Sequence, residues 1–251
     1  MPVPNHDHVD SAHTAQVPIV RLDIFAVPTL HIAGALMRMG LHRITLRRSR
    51  NIRFWKLLGT GSGKTFTVRD ADPHQWAILT VWNSRSEAEE FSRSSVMNSW
   101  LRISDTHATF HMVALSAHGK WAGQTPFGEP VATPVGSSLI AVITRARIKV
   151  RWWPEFWRSV PAVSADLHKS AGLLASVGIG EAPLGLQGTF SLWRDNRSVT
   201  EFATGRPEHN RVIQRTHETQ WYAEELFARF IVVEMTGNLS GTDLDSLLAQ
   251  R

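Results

Sequence analysis

A histidine near the start of a predicted helix is the side chain of this sequence best suited to bind a metal. The run Gly205-Arg206-Pro207 ends one element, and its proline is typical of the first turn of the next helix, predicted over residues 209–227. His209 shares one face of that helix with Ile213, and Val212 lies beside them. A neutral imidazole among aliphatic side chains can ligate haem iron while a hydrogen-bond acceptor holds its other nitrogen. The simpler alternative is a solvent-exposed histidine at a helix start.

Other histidines compete with this candidate. His217 lies about 80° around the same predicted helix. His168 is a third candidate, on a helix predicted over residues 154–175. His107 and His111 stand in a predicted strand without a carboxylate at metal-ligand spacing, and we expect them to be packed or solvated.

The composition excludes several classes of site. Zero cysteines exclude disulfides, thiolate zinc, iron–sulfur clusters and a cysteine-ligated haem. Ten tryptophans against one tyrosine indicate wide apolar surfaces, which suit a cavity for a large flat ligand. The first sixteen residues are polar and lack the order of a signal peptide, so we expect a disordered tail on a cytoplasmic protein.

The basic residues are concentrated in one block. No acidic residue occurs between Asp23 and Asp70, a stretch that is rich in arginine. Within it, Leu30–Ile44 has apolar residues at helical spacing with basic residues between them. This pattern predicts either an ordinary amphipathic helix or a face that contacts the inner surface of a membrane. No recognised nucleic-acid-binding motif accompanies the charge, so we expect no nucleic-acid partner.

The elements that must position these residues occur twice. Ala77–Phe91 and Gly188–Phe202 both read as an apolar strand that ends in Trp, a polar turn and a short helix containing Glu-Phe. Each copy also has an opening strand, a helical stretch and a closing strand. The opening strands are Ile19–Val27 and Ser138–Val150, and the closing strands are His107–Leu115 and Ala228–Met235.

Each half therefore reads β-α-β-β-α-β, the ferredoxin-like unit of the α+β class. A four-stranded sheet with helices on one face leaves its other face uncovered, so two tandem copies predict a dimeric-type α+β barrel within one chain. The predicted boundaries are residues 1–16 for the tail, 17–124 for repeat 1, 125–137 for the linker, 138–236 for repeat 2 and 237–251 for a C-terminal extension.

Several runs resemble one known family. They are Phe54-Trp-Lys-Leu-Leu-Gly-Thr-Gly-Ser-Gly, Gly119-Lys-Trp-Ala-Gly, Thr144-Arg-Ala-Arg-Ile, Gly178-Ile-Gly-Glu-Ala-Pro-Leu and Trp221-Tyr-Ala-Glu-Glu-Leu-Phe-Ala-Arg-Phe. In order and type they are similar to the spheroidene monooxygenase family, the carotenoid ketolases of photosynthetic bacteria. The resemblance extends from about Ile19 to Val233.

The resemblance implies a haem-dependent, O₂-using oxygenase of a small lipophilic, carotenoid-like substrate, with haem b in the barrel of repeat 2. Pro207-Glu208-His209 resembles the family's Pro-x-His pattern and favours His209 as the iron ligand. On this interpretation Val212, Ile213 and Trp55 contact the cofactor.

The family-like runs also supply three candidate catalytic residues, Lys56, Trp121 and Arg145, because they lie at predicted strand ends. A cation there can donate a charge-assisted hydrogen bond to a reacting oxygen atom. The alternative for each is a surface salt bridge or a charge at a sheet edge.

Three functions remain open at this stage. The first is the monooxygenase, which needs O₂ and an electron donor and could form oligomers. The second is a haem-dependent dehydratase or isomerase, since related barrels host such enzymes. The third is a non-catalytic carrier of haem or of a lipophile.

Overall fold

A computed structural model of the chain describes residues 17–62, 70–130, 138–152, 167–181, 188–205 and 222–249. The strands are β1 Ile19–Ala26, β2 Ile52–Gly61, β3 Ala71–Trp82, β4 Thr106–Gly119, β5 Ile140–Ile148, β6 Leu173–Gly180, β7 Gly188–Trp193, β8 Tyr222–Leu239 and β9 Thr242–Asp243. The helices are α1 Ile32–Arg48, α2 Arg85–Glu90, α3 Ser95–Leu101, α4 Asn196–Gly205 and α5 Leu244–Ala249.

Strands β1 to β8 close into a barrel. Their order is β4-β1-β3-β2-β6-β7-β5-β8, and β8 pairs back with β4. Every one of these pairings is antiparallel. Repeat 1 contributes β1–β4 and repeat 2 contributes β5–β8, so the pairs β2–β6 and β4–β8 join the repeats. The predicted α+β class and the barrel within one chain are confirmed.

The duplicated strand–turn–helix unit packs in the same way in both repeats. Strand β3 ends at Trp82, whose ring lies 5.2 Å from that of Phe91. Strand β7 ends at Trp193, whose ring lies 5.4 Å from that of Phe202. In repeat 1 the helix starts because the Ser84 hydroxyl accepts a hydrogen bond from the backbone N–H of the third residue on.

Strand alternation divides the side chains between two sides of the barrel wall. The interior holds a continuous apolar core that includes Leu22, Leu79, Phe110, Phe190 and Phe230. The outer face of repeat 1 carries a second core, packed under α1, α2 and α3. A smaller cluster on the outer face of repeat 2 joins Ile140, Trp193 and Val199.

Two predicted helices extend too far. The helix expected over residues 154–175 cannot include its last three residues, because β6 begins at Leu173 and pairs with β7. The helix expected over residues 209–227 cannot include its end, because β8 begins at Tyr222 and pairs with β5. Local periodicity is ambiguous for short apolar runs, and strand pairing decides the outcome.

Candidate functional site

Three predicted catalytic residues meet in the barrel interior around a carboxylate that the sequence did not single out. The Lys56 Nζ donates to Glu181 Oε2 over 2.7 Å, and the Trp121 Nε1 donates to Glu181 Oε1 over 2.6 Å. The Arg145 guanidinium donates to the same Oε1 over 3.0 Å. The structure therefore brings Lys56, Trp121 and Arg145 together, and all three donate hydrogen bonds to Glu181.

A second carboxylate, Glu224, holds the other side of this group. It accepts a hydrogen bond from Arg145 and from the backbone N–H groups of Ala122 and Gly123. Those two residues have positive φ angles of 54° and 75°, so they form a tight turn directly after Trp121. Glu224 therefore fixes the turn that aims the Trp121 indole at Glu181.

Strand alternation explains how β2, β5 and β6 bring Lys56, Arg145 and Glu181 to one place. Lys56 lies on the same face of β2 as the core residues Phe54 and Leu58, and Arg145 follows Ile143 on the inner face of β5. Glu181 comes directly after β6, two residues beyond the buried Ile179. We call Lys56, Trp121, Arg145, Glu181 and Glu224 the interior polar cluster.

The charges of the interior polar cluster compensate one another. Burial raises the pKa of Glu181, but hydrogen bonds from Lys56 and Trp121 and the nearby cations outweigh it, so the pKa lies below the ordinary 4.5. Burial likewise raises the pKa of Glu224, and the backbone donors and Arg145 reverse that shift. Two cations thus face two ionised carboxylates, and both cations also lie over the Trp121 ring.

This arrangement defines what the cluster can do chemically. It holds ionised carboxylates and an oriented indole at one end of an apolar interior. Among the described residues, the side-chain hydrogen bonds of Lys56 and Arg145 are donated to the carboxylates of Glu181 and Glu224.

The predicted cofactor-binding residues do not join this cluster within the described residues. Trp55 lies on the outer face of β2, half-buried against the core under the helices of repeat 1. His209, Val212, Ile213 and the competing His217 lie outside the described residues. His168 is exposed, ahead of β6.

The outer faces of the two repeats differ in side-chain size at equivalent positions. The strand registers align Trp55 with Ser176, because their partners Thr80 and Ser191 lie two residues before Trp82 and Trp193 in the sequence. They align Leu57 with Gly178, because Ile78 and Thr189 lie four residues before the same two tryptophans. Phe25 and Ala146 also occupy equivalent positions, six residues after Ile19 and Ile140, which pair with Trp82 and Trp193. At these three positions the sheet of repeat 2 carries small residues where the sheet of repeat 1 carries large ones.

The outer face of repeat 2 also carries a buried donor. Arg229 pairs with Val142 across β8 and β5, and its Nε is buried with no hydrogen-bond partner in the described part of the chain. Its remaining polar contact there is a 3.3 Å hydrogen bond from the guanidinium to the Asn196 side chain. Burial lowers the pKa of Arg229, since the charged form loses solvation.

Repeat 1 has a separate buried ionic group beneath α2 and α3. Asp23 is fully buried and accepts hydrogen bonds from Arg21, His107 and Thr109. Burial raises the pKa of Asp23, but the charge of Arg21 and the hydrogen bonds outweigh it and lower the value to about 2. A cavity of about 300 Å³ adjoins this group.

His111 lines the same cavity. Its Nδ1 lies 3.3 Å from a carboxylate oxygen of Glu234, and its Nε2 is buried with no partner among the described residues. Burial and the charge of Arg21 lower the pKa of His111 below 6.5, so the imidazole is neutral at pH 7. Both His107 and His111 are therefore packed against carboxylates of neighbouring strands.

The described residues contain no group of three or more histidine, aspartate or glutamate side chains that could hold a metal ion. No helix in this part of the chain has the length and apolar character needed to cross a bilayer.

Comparison with known proteins identifies the family. The chain is 32% identical over 230 residues to a spheroidene monooxygenase of Rhodobacter capsulatus, an alignment that covers 90% of this chain and 95% of the relative. A spheroidene monooxygenase of Rubrivivax gelatinosus is 30% identical over 192 residues, covering 75% and 72%. The chain belongs to the spheroidene monooxygenase family. It is thus a member of a family of oxidoreductases of the monooxygenase type, and the resemblance seen in its sequence is confirmed.

A longer relative matches over part of its length. The spheroidene monooxygenase of Cereibacter sphaeroides is 35% identical over 208 residues, which cover 82% of this chain and 62% of that protein. No family model matches the chain.

Solved structures support the fold. An aldoxime dehydratase in complex with butyraldoxime has a TM-score of 0.53 and 13% identity, covering 87% of this chain and 80% of that one. A second aldoxime dehydratase structure gives a TM-score of 0.50 at 13% identity, covering 86% and 81%. At this identity the likeness concerns the fold alone.

Proposed function

We propose that this member of the spheroidene monooxygenase family is a haem-dependent monooxygenase of a small lipophilic, carotenoid-like substrate. The observation that carries the proposal is the row of small residues on the outer sheet face of repeat 2, at the positions where repeat 1 has large side chains. A large flat cofactor needs such a surface, since side chains the size of Trp55 and Leu57 would occupy its place.

The residues of repeat 2 fit haem b in two respects. Ser176, Gly178 and Thr189 have small side chains or none, so this part of the sheet would let a planar ring approach the backbone closely. Arg229 has a buried Nε donor without a partner in the described residues, which suits the carboxylates that haem b carries. His209 is the proposed iron ligand, with Val212 and Ile213 beside it.

The roles of the protein follow from this placement. Haem b, when bound, supplies the chemistry of O₂ activation, and the polypeptide supplies the imidazole, an apolar surround and positioned polar groups. Transfer of one oxygen atom to substrate leaves the other to be reduced to water by two electrons and two protons, so an electron donor is required. We place the reaction in the cytoplasm.

We further propose a role for Lys56, Arg145 and Trp121 as part of the interior polar cluster. By donating to Glu181 they keep a carboxylate ionised at the end of the apolar interior and fix the position of the Trp121 ring. The cluster lies on the inner side of the barrel wall, and the proposed haem surface lies on the outer side. Its residues therefore act as positioning residues, by holding the strands of the wall in place.

Titration of the purified chain with haemin tests the proposal. We expect a Soret band that saturates at one haem per chain, and O₂ uptake that needs both an added reductant and a polyene dispersed in detergent. Saturable haem binding without substrate-dependent O₂ uptake would favour a dehydratase, an isomerase or a carrier. Absence of saturable haem binding would overturn the proposal.

A further inference from the structure

Helix α1 carries apolar side chains on two opposite faces. Its core face is formed by Ala35, Met39 and Leu46, which are buried against the outer sheet of repeat 1. On the opposite face the exposed fractions are 58% for Met37, 54% for Leu41 and 54% for Ile44. At 100° per residue these three lie 180° to 240° from Ala35, so they form a stripe that points away from the protein.

This arrangement differs from that of an ordinary surface helix. A helix with one buried face normally presents polar residues on the other, since exposed apolar area is unfavourable in water. Leu30–Ile44 was predicted to form either an ordinary amphipathic helix or a face that contacts a membrane. An ordinary amphipathic helix explains only the buried face. The stripe of Met37, Leu41 and Ile44, which we call the α1 stripe, therefore needs another contact.

The charges beside the α1 stripe are all positive. Arg47 and Arg48 are exposed on the same helix, Arg48 within the arc of the stripe and Arg47 about 60° from its edge. The sequence has no acidic residue between Asp23 and Asp70 to offset them. No ion pair involves these arginines in the described part of the chain, which leaves their charge available to an external anion.

We propose that the α1 stripe, with Arg47 and Arg48, forms a docking surface for a lipid bilayer that contains anionic headgroups. Apolar side chains on such a helix enter the boundary between headgroups and acyl chains, and the arginines bind lipid phosphates. A second copy of the chain is a poorer occupant, because pairing through α1 would bring two arginine-rich surfaces together. The inference does not depend on the proposed haem chemistry.

Vesicle co-sedimentation of the full chain tests the surface. We expect binding to vesicles of equal parts phosphatidylcholine and phosphatidylglycerol, and much weaker binding to phosphatidylcholine alone. The double variant Met37→Gln/Ile44→Gln should bind the mixed vesicles at least about tenfold more weakly, since it removes apolar area that would enter the lipid. Arg47→Gln/Arg48→Gln should reduce the preference for the anionic lipid and its sensitivity to salt.

A matched control uses exposed apolar residues elsewhere. Val17 and Val233 are 42% and 46% exposed, away from α1, and Val17→Gln/Val233→Gln should bind as the wild type does. All variants should keep the wild-type circular dichroism spectrum, because the changed side chains are exposed. The proposal would be overturned if the wild type failed to bind mixed vesicles. It would also be overturned if Met37→Gln/Ile44→Gln and Val17→Gln/Val233→Gln lost binding equally. A dimer in solution that Met37→Gln/Ile44→Gln separates would also overturn it, by assigning the surface to a second copy.

Discussion

At the scale of single residues, the interior polar cluster depends on contacts between the repeats. Lys56 comes from repeat 1 and Glu181 from repeat 2, and their charges lie 2.7 Å apart beside an apolar core. Removing one partner leaves a partly buried charge without compensation, which costs more than the pair contributes.

This geometry predicts a measurable coupling. Lys56→Met and Glu181→Gln should each lower the free energy of unfolding by about 1–2 kcal/mol. The double variant should lose less than the sum, with a coupling of about 1 kcal/mol in a double-mutant cycle from urea unfolding. Glu201→Gln is the control, because its exposed pair with Arg197 should contribute little. Additive losses would show that Lys56 and Glu181 do not interact.

Asp23 predicts how stability depends on pH. Its pKa falls from an ordinary 3.8 to about 2 in the folded chain, so folding favours the ionised form. The resulting stabilisation of about 2 kcal/mol is present above pH 4 and is lost as the pH falls through the folded pKa. Asp23→Asn should remove this dependence and lower stability at pH 7 by about 3 kcal/mol, because Arg21 loses its buried partner.

The measurement is urea unfolding at a series of pH values between neutral and strongly acidic. Asp105→Asn, which changes an exposed carboxyl, should leave the wild-type curve unaltered. An Asp23→Asn variant that keeps the full acid-dependent loss of stability would contradict the assignment.

Sequence alone located part of the candidate site. Lys56, Trp121 and Arg145 lie in separate runs of the sequence, and the structure brings their side chains together around Glu181. Glu181 and Glu224 stand in two of the same runs but were missed, because their partners lie on strands of distant sequence and their contacts depend on the barrel register. The Asp23 group was missed for the same reason, although the alternation of Arg21 and Asp23 in an apolar strand is a detectable signal.

At the scale of elements, the two repeats have diverged on their outer faces. Leu57 is buried under the helices of repeat 1, whereas the equivalent position of repeat 2 is Gly178. We expect Gly178→Leu to lower haem affinity by at least about tenfold, because the new side chain would occupy the place proposed for the haem ring. Leu57→Phe is the matched control: it enlarges the equivalent side chain of repeat 1, so it should lower thermal stability and leave haem affinity unchanged.

Haemin titration followed by the Soret band provides this measurement. Unchanged affinity in a folded Gly178→Leu variant would place the cofactor elsewhere.

The strand alternation and the Trp-to-Phe spacing of nine residues could be predicted from sequence, since both are local. The ends of two predicted helices could not, since β6 and β8 begin where strand partners, rather than periodicity, determine the backbone.

At the scale of the whole molecule, the barrel closes through two pairings between the repeats, β2–β6 and β4–β8. A fragment of residues 17–124 would leave β2 and β4 as open edges and expose the inner apolar face. We expect this fragment to form a dimer in which a second copy replaces repeat 2, as light scattering after size-exclusion chromatography would show. A folded monomeric fragment would contradict the idea that barrel closure stabilises each repeat.

The duplication made this architecture predictable, because a repeated β-α-β-β-α-β unit has one uncovered sheet face and its partner is the other copy. The sequence could not specify how the two faces pack, since the interior combines side chains from all eight strands of the barrel. The outer-face difference between the repeats likewise emerged only from the aligned strand registers.

The proposed binding of haem in repeat 2 through His209 is tested most directly by the visible spectrum of one variant. His209→Ala should lose stoichiometric haem binding, with a change in stability within about 1 kcal/mol, since the sequence predicts His209 near the start of a helix, where truncation removes little packing. Added imidazole should partly restore the Soret band by filling the vacated position, and His217→Ala and His168→Ala should keep it. Full haem occupancy with an unchanged spectrum in His209→Ala would contradict the account.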